Sequence, residues 1–231
     1  MKTLPLALAA ALGLSSLLAS PAHAAAATAC TGVTRCEVVS SADVDGDGKA
    51  DSVGVVFKKP TDAGPGSITV RLRTATGVQS ATTGKDVYWP LKPFFGVAAV
   101  DGRPGKEIVV GDDIGAHAEQ FRVVTYRKGD LVTLASPPGS GLTRPSRWGI
   151  DSSLRFHVGF KRTVSKKGVV SIIRKEAVSN NAFTRASGTK TTWVWKSGGW
   201  VKKSRVKVSY SQEAVYKIEG WHVKGLPVYA G

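Results

Sequence analysis

Four aspartates within nine residues are the part of this sequence best suited to binding a metal ion. They occupy positions 1, 3, 5 and 9 of a loop spanning residues 43–51, the Asp43 loop: Asp43, Asp45, Asp47 and Asp51. Gly48 stands at position 6, where the chain has to turn sharply, and the main-chain carbonyl of Lys49 stands at position 7. Such a loop directs several oxygens at one centre, which suits calcium with its roughly six to eight oxygen ligands. The sequence therefore predicts a calcium site, and the alternative is a solvated turn rich in Asp and Gly.

The residues that follow the Asp43 loop indicate which kind of calcium site it is. An EF-hand places a bidentate Glu at position 12, whereas this sequence has Gly54 there, inside an apolar segment. No helical pattern flanks the loop, which leads directly into the strand-like segment 52–57. The sequence thus predicts a loop-to-strand calcium site and not an EF-hand.

Two segments together resemble a known family of calcium-binding repeats. The first is Asp43-Val-Asp-Gly-Asp-Gly-Lys-Ala-Asp-Ser-Val, and the second is Phe95-Gly-Val-Ala-Ala-Val-Asp-Gly. They are similar to the FG-GAP or VCBS-type repeat of integrin α-subunits and of many secreted bacterial proteins, over residues 42 to about 115. The resemblance implies a loop between strands of a propeller blade, with calcium held by these groups: Asp43, Asp45, Asp47, the Lys49 carbonyl and Asp51.

The sequence also contains a degenerate second copy of the loop, residues 99–107, the Asp101 loop. It follows the first copy by 56 positions and keeps two of its acids, as Asp101 and Glu107. Ala99 stands at position 1 and Arg103 at position 5, so we expect no metal there and expect Arg103 to lie where the ion would be. Two copies are too few for a closed propeller, which predicts propeller-blade-like repeats without a complete propeller.

The elements that must position these loops are predicted to be strands throughout. Alternation of apolar and polar residues, as in the segments 67–73 and 205–210, is typical of strands with one solvated face. Short turns at 128–130, 166–168 and 197–199 favour antiparallel hairpins. The fold class is therefore all-β and mainly antiparallel, with no helix after residue 24. Strands are predicted at 53–57, 67–74, 95–100, 107–110, 120–127, 131–134, 154–160, 169–175, 191–196 and 200–210.

The N-terminal residues predict export from the cell. Residues 1–24 combine Lys2, an apolar stretch at 4–18 and a small-residue cleavage sequence at 22–24, which is the arrangement of a secretory signal peptide. Cys30 and Cys36 are the only cysteines, and in an oxidising compartment we expect them to form a disulfide rather than a redox or zinc site. No segment is long and apolar enough to span a membrane, so the prediction is a secreted protein.

Positive charge is concentrated in the C-terminal third of the chain. Residues 152–231 hold 16 Lys and Arg against three Asp and Glu, an excess of +13, whereas residues 25–151 are nearly balanced. This asymmetry indicates an anionic partner, a two-part architecture or only a strongly solvated surface. The predicted organisation is a calcium-loop region at 25–135, a linker or internal loop at 136–148, and a basic, Trp-rich region at 149–231 that is either a second domain or part of the first.

The basic region includes a candidate surface for an anionic ligand. Aromatic and basic residues alternate there in a way that suits a wall polysaccharide, a phosphate polymer or, with less support, nucleic acid. The alternative is aromatic packing beneath a solvated basic face, and another surface protein is a further possible partner. The candidate surface consists of Trp193, Trp195, Lys196, Trp200, Lys202, Lys203 and Arg205.

Local signatures of catalysis are absent from the sequence. No zinc-hydrolase, nucleophile-elbow or phosphate-loop motif occurs. The segment 112–119 gathers Asp112, Asp113, His117 and Glu119 and is the best catalytic candidate, with a polar loop as the alternative. We therefore predict a secreted calcium-binding β-repeat protein with a structural or binding role, not an enzyme. The alternatives are a secreted hydrolase using the segment 112–119 and a binder of anionic polymer.

Overall fold

The structure is a computed structural model that describes residues 26–139 and 146–230. The predicted signal peptide at 1–24 lies outside these residues, as do residues 140–145 of the predicted linker. The described chain forms two β-sheets and one short helix.

The first sheet is a four-stranded antiparallel meander in the order β1-β2-β3-β4. Its strands are β1 (Cys36–Ala42), β2 (Asp51–Lys58), β3 (Gly66–Thr74) and β4 (Gly77–Val87). The Asp43 loop connects the first two strands. In β3 the side chains of Ile68, Val70 and Leu72 are buried while the residues between them are half-buried, as the predicted alternation requires.

The second sheet contains ten strands and begins with another four-stranded meander, β5-β6-β7-β8. The Asp101 loop connects β5 to β6, so both loops join the first two strands of a blade-like unit. The elements are β5 (Phe94–Ala98), β6 (Glu107–Ile114), β7 (Ala118–Arg127), β8 (Asp130–Leu134), β9 (Trp148–Ser152), β10 (Phe156–Val164), β11 (Val170–Ser179), β12 (Arg185–Lys196), β13 (Gly199–Ser211), α1 (Gln212–Tyr216) and β14 (Gly220–His222).

The second sheet continues across the predicted boundary at 136–148. β9 pairs with β7 on one side and β10 on the other, and β11, β12 and β13 extend the sheet to its far edge. One cluster of buried apolar residues draws on both sheets and on both sides of the boundary, including Val53, Phe121, Trp148 and Phe160. The two regions therefore share one sheet and one core.

The predicted fold class is confirmed: the described chain is almost entirely antiparallel β-sheet and does not form a complete propeller. The three predicted hairpins also occur, and each turn contains residues with positive φ: Lys128-Gly129, Gly168 and Ser197-Gly198. The expectation of no helix was wrong at α1, a single turn that the Ser211 side chain caps by accepting the Ala214 N–H at 3.2 Å.

Candidate metal site and neighbouring surfaces

The Asp43 loop brings three acidic side chains to one point. One carboxylate oxygen each from Asp43, Asp45 and Asp51 lies within 4.8 Å of the others. Asp47 and Lys49 are exposed on the outer part of the loop, where an Asp47 oxygen accepts the Lys49 N–H at 2.7 Å. The structure thus gathers three of the four predicted aspartates and leaves Asp47 at the rim.

Hydrogen bonds from the loop's own main chain curl it around these acids. The two oxygens of Asp43 accept the N–H groups of Gly46 at 2.7 Å and Gly48 at 3.1 Å. Both glycines have positive φ, which is why glycine suits these positions. On the strand side, one oxygen of Asp51 accepts the N–H groups of Val44 at 2.8 Å and Asp45 at 3.1 Å. Local sequence therefore fixes the loop.

The electrostatics of the Asp43 loop favour a cation. Partial burial raises the pKa of Asp45 above its ordinary value, and the charges of Asp51, Asp47 and Asp43 act in the same direction. Within residues 26–139 and 146–230 none of these acids has an ion pair with Lys or Arg. The side-chain atoms available as metal ligands in the Asp43 loop are all carboxylate oxygens, which suit a hard cation such as calcium. The residues present fit the ion that the family resemblance implies.

The Asp101 loop has two acids, Asp101 and Glu107, and a basic side chain lies beside them. Arg127, on β7, donates to Asp101 at 2.5 Å and to Glu107 at 3.3 Å. Glu107 also accepts the Val100 N–H at 2.6 Å and the Thr125 hydroxyl at 3.1 Å. Both acids are buried, and one guanidinium serves two carboxylates.

The prediction that Arg103 occupies the ion's position was wrong. Its side chain is exposed, and its main-chain N–H bonds to Asp101 at 2.9 Å. Arg127, 26 residues beyond Asp101, supplies the positive charge instead.

The two loops pack directly against each other. The Lys106 N–H donates to the Asp43 carbonyl at 2.9 Å. A Cβ atom at Gly46 would lie 2.8 Å from the Pro104 Cβ, and one at Gly105 would lie 2.2 Å from the Val44 carbonyl oxygen. Because neither glycine can carry a side chain without moving the opposite loop, the contact depends on both.

The predicted disulfide between Cys30 and Cys36 is confirmed, with the two Cα atoms 5.3 Å apart. It covers Gly54 on β2, where a Cβ atom would lie 2.7 Å from the Cys30 sulfur. Gly54 is the residue at the position where an EF-hand has its Glu, so packing against the disulfide explains the glycine there. The preceding segment is held as well, because Arg71 donates to the Ala29 carbonyl at 2.7 Å.

The structure disperses the candidate catalytic segment 112–119. Asp112 is buried in an ion-pair network with Arg122, at 2.6 Å, and Arg147. Burial raises the pKa of Asp112 although both arginines act in the opposite direction. Glu119 accepts the N–H of Ala230 at 3.1 Å. His117, from the same segment, lines a sizeable cavity.

That cavity has a volume of about 640 Å³ and lies on one face of β9 to β13. His117 Nδ1 lies 3.0 Å from Asp151 Oδ1 at its wall, and the exposed side chains of Phe156 and Val178 contribute apolar surface. Glu176, Ser187, Thr189 and Arg205 complete most of the polar lining.

Sequence reasoning missed a second histidine cluster, which is buried. His157 Nδ1 lies 2.6 Å from Glu219 Oε1, and Nε2 lies 2.8 Å from the Ser179 hydroxyl. These are the residue types of a hydrolytic triad, but all three are at most 5% exposed, so a substrate cannot reach the serine. Tyr229 donates to the other Glu219 oxygen at 2.8 Å, and Gln212 bonds to Ser179, which makes the cluster structural.

The candidate anionic-ligand surface is divided between the core and solvent. Trp193 is only 8% exposed, and Trp195 and Trp200 are half-buried and pack edge to face with their centroids 5.1 Å apart. The basic members are exposed at the sheet edge: Lys196, Lys202, Lys203 and Arg205. The tryptophans therefore belong to the packing of the sheet, which is the alternative that the sequence left open.

The described chain is an all-β protein with two four-stranded meanders, each with an acidic loop between its first two strands, and the second meander continues into the rest of the ten-stranded sheet. No known family model, curated protein or solved structure matches the chain. In the part of the chain that the structure describes, no helix is long and apolar enough to cross a membrane.

Proposed function

We propose that this protein is an exported, calcium-stabilised β-repeat protein with a structural or binding role outside the cell or at its surface. The main support is the contrast between the two loops. The Asp101 loop has Arg127 beside its acids, whereas the Asp43 loop has more acids and no basic partner among the described residues. Asp43, Asp45 and Asp51 would hold the ion, with Asp47 and the Lys49 carbonyl at the rim, and calcium would neutralise the carboxylates.

Calorimetry of the purified protein tests the calcium site. We expect one calcium site, and a lower Tm after chelation, with both effects lost in Asp45→Ala. Asp62→Ala is the matched control, because Asp62 is exposed in the β2–β3 connection and makes no ion pair with any residue that the structure describes. Absence of both calcium heat and a chelator-dependent Tm in the unmodified protein would refute the proposal.

Export is supported by the Cys30–Cys36 disulfide, since such bonds persist in oxidising compartments. The signal-like residues 1–24 point the same way. Mass spectrometry of the protein from culture medium tests this, with an N-terminus near residue 25 as the expected result. Recovery only of the full-length chain inside cells would contradict it.

We also propose an anionic polymer as the partner of the basic C-terminal third. Its support is the excess of 16 basic over three acidic residues in 152–231. Binding to such a polymer is expected to weaken as salt rises from about 50 to about 200 mM. Salt-independent binding, or none to any anionic polymer, would contradict this part of the proposal.

The alternative function, a secreted hydrolase, rests on His117 alone within the segment 112–119. Its favourable observation is the pairing of His117 with buried Asp151 at the cavity wall, an arrangement suited to a general base. Screening on polysaccharide, phosphoester and peptide substrates tests it. Turnover that is abolished by His117→Ala but kept in His222→Ala would establish the hydrolase and displace the non-enzymatic proposal.

A further inference from the structure

Three lysines lie next to one another across three strands of the second sheet. Lys175 on β11 is the direct cross-strand partner of Lys190 on β12. Lys161 on β10 is diagonal to Lys175 on the same face, because Lys161 pairs with Ile173, two residues before Lys175. We call these three residues the lysine strip. Direct neighbours of this kind have Cβ atoms about 5 Å apart, and diagonal ones about 7 Å.

Like charges at these separations repel each other, and this repulsion acts on the pKa values of Lys175 and of the neighbouring His222. Burial lowers the pKa of Lys175, and Lys161 and Lys190 lower it further. His222 on β14 pairs with Lys161; burial lowers the pKa of His222, and the charges of Lys175 and Lys161 lower it further. A direct Lys–Lys pair normally destabilises a sheet, so a bound anion would remove a cost that the free protein carries.

No acid of the C-terminal third compensates the lysine strip. Glu176 points to the opposite face and pairs with Arg174 at 2.7 Å. Glu213 pairs with Lys217 on α1, and Glu219 is buried against His157. Since these are the only three acidic residues in 152–231, the strip remains a local excess of positive charge.

The composition of this face selects among anionic polymers. All three cations are lysines, which bind phosphate as point charges, and the strip has no arginine of the kind that binds two carboxylate or two phosphate oxygens at once. The neighbouring strand positions on the same face are Ile173, Thr192, Val206 and, beside Lys161, His222, so none of them gives bases a Phe, Tyr or Trp ring on which to stack.

We propose that the lysine strip Lys161–Lys175–Lys190 binds a base-free phosphodiester polymer, such as a polyol phosphate. This inference rests on the proposed anionic partner and moves its binding site from the sheet edge at Lys202, Lys203 and Arg205 to the face of β10, β11 and β12. The polymer crosses the strands, so successive phosphates meet successive lysines.

Binding of poly(glycerol phosphate) to three forms of the purified protein tests the assignment. The first is the unmodified protein and the second carries Lys161→Gln, Lys175→Gln and Lys190→Gln. The third is the matched control, which loses three charges at the sheet edge through Lys202→Gln, Lys203→Gln and Arg205→Gln. At about 50 mM salt we expect affinity to fall roughly 100-fold in the strip variant and at most about threefold in the control. The salt slope should decrease by about 2, since each contact on a flexible strand contributes about 0.7.

Each other outcome is decisive. Equal losses of affinity in the two variants, or a larger loss in the edge variant, would refute the lysine strip as the binding site but would still support an anionic partner. No binding by the unmodified protein would refute both. Tighter binding of oligodeoxythymidylate or polygalacturonate than of poly(glycerol phosphate), lost in the strip variant, would overturn the assigned polymer class. A retained calcium heat and an unchanged or higher Tm in the strip variant establish that it is folded.

Discussion

Glu107 makes the stability of this protein depend on pH in a direction that can be worked out from its surroundings. It lies buried beside Asp101, and the single guanidinium of Arg127 serves both carboxylates, so the group carries a net negative charge when both are ionised. Burial raises the pKa of Glu107 to about 7, and Asp101 raises it too, while Arg127 and two hydrogen bonds act in the opposite direction.

The sign follows from comparing the folded and unfolded chains. The unfolded carboxyl has a pKa near 4.5, so between that value and about 7 the folded chain binds more protons. The free energy of unfolding therefore falls as pH rises through this window, and it levels off above the folded pKa. A pKa difference of about 2.5 corresponds to about 3 kcal/mol in total, of which about 2 kcal/mol falls between about pH 5.5 and about pH 8.

Urea unfolding of the unmodified protein and of Glu107→Gln at these two pH values measures this term, with calcium held constant. Glutamine cannot accept hydrogen bonds from Val100, Thr125 and Arg127 as the carboxylate does, which adds a fixed cost, but that cost cancels when each protein is compared with itself at two pH values. We expect the unmodified protein to lose about 2 kcal/mol more than the variant. The same loss in both proteins would show that Glu107 does not titrate in this range.

Two further substitutions test the packing, each by denaturant unfolding. Gly54→Ala should lower the free energy of unfolding by about 1–3 kcal/mol, because its Cβ would lie 2.7 Å from the Cys30 sulfur. Gly199→Ala, with open space around it, should change the free energy of unfolding little, and equal effects of the two substitutions would contradict the packing role of Gly54. Trp193→Ala should cost about 3–5 kcal/mol as a core truncation, while the exposed Lys202→Ala should stay within about 0.5 kcal/mol. A small effect of Trp193→Ala would show that the Trp193 side chain does not contribute to the core.

Local patterns were sufficient for the fold class and for the convergence of three of the four aspartates of the Asp43 loop. The alternation in β3 and the turn chemistry at Lys128-Gly129 and Ser197-Gly198 are fixed by neighbouring residues, so the sequence alone predicts them. β4 was missed because its residues, Gly77–Val87, include few large β-branched or aromatic side chains. It forms a strand because β3 beside it supplies the hydrogen-bond partners.

The features of the site that could not be predicted from the sequence depend on contacts between residues far apart in the chain. The two acids of the Asp101 loop indicate that a positive charge lies beside them. Nothing in the local sequence shows that Arg127 on β7, and not the exposed Arg103, supplies that charge. Likewise, alternation places Trp193 and Trp195 on one face of β12 without saying whether that face meets solvent or packs inward, where Trp195 contacts Trp200 and Trp200 contacts buried Trp148.

If the Asp43 loop binds calcium as proposed, the two acidic loops have different sources of positive charge. Arg127 is covalently part of the chain, so the Asp101 loop keeps its positive charge whatever the surrounding solution contains. A calcium ion at the Asp43 loop would exchange with solvent and, at the affinities of extracellular modules, add only about 1 kcal/mol at millimolar calcium. Because the Asp43 carbonyl accepts the Lys106 N–H, the Asp101 loop supports the Asp43 loop whether or not an ion is bound. Calcium removal should therefore loosen the first blade-like unit while the ten-stranded sheet and its lysine strip remain folded.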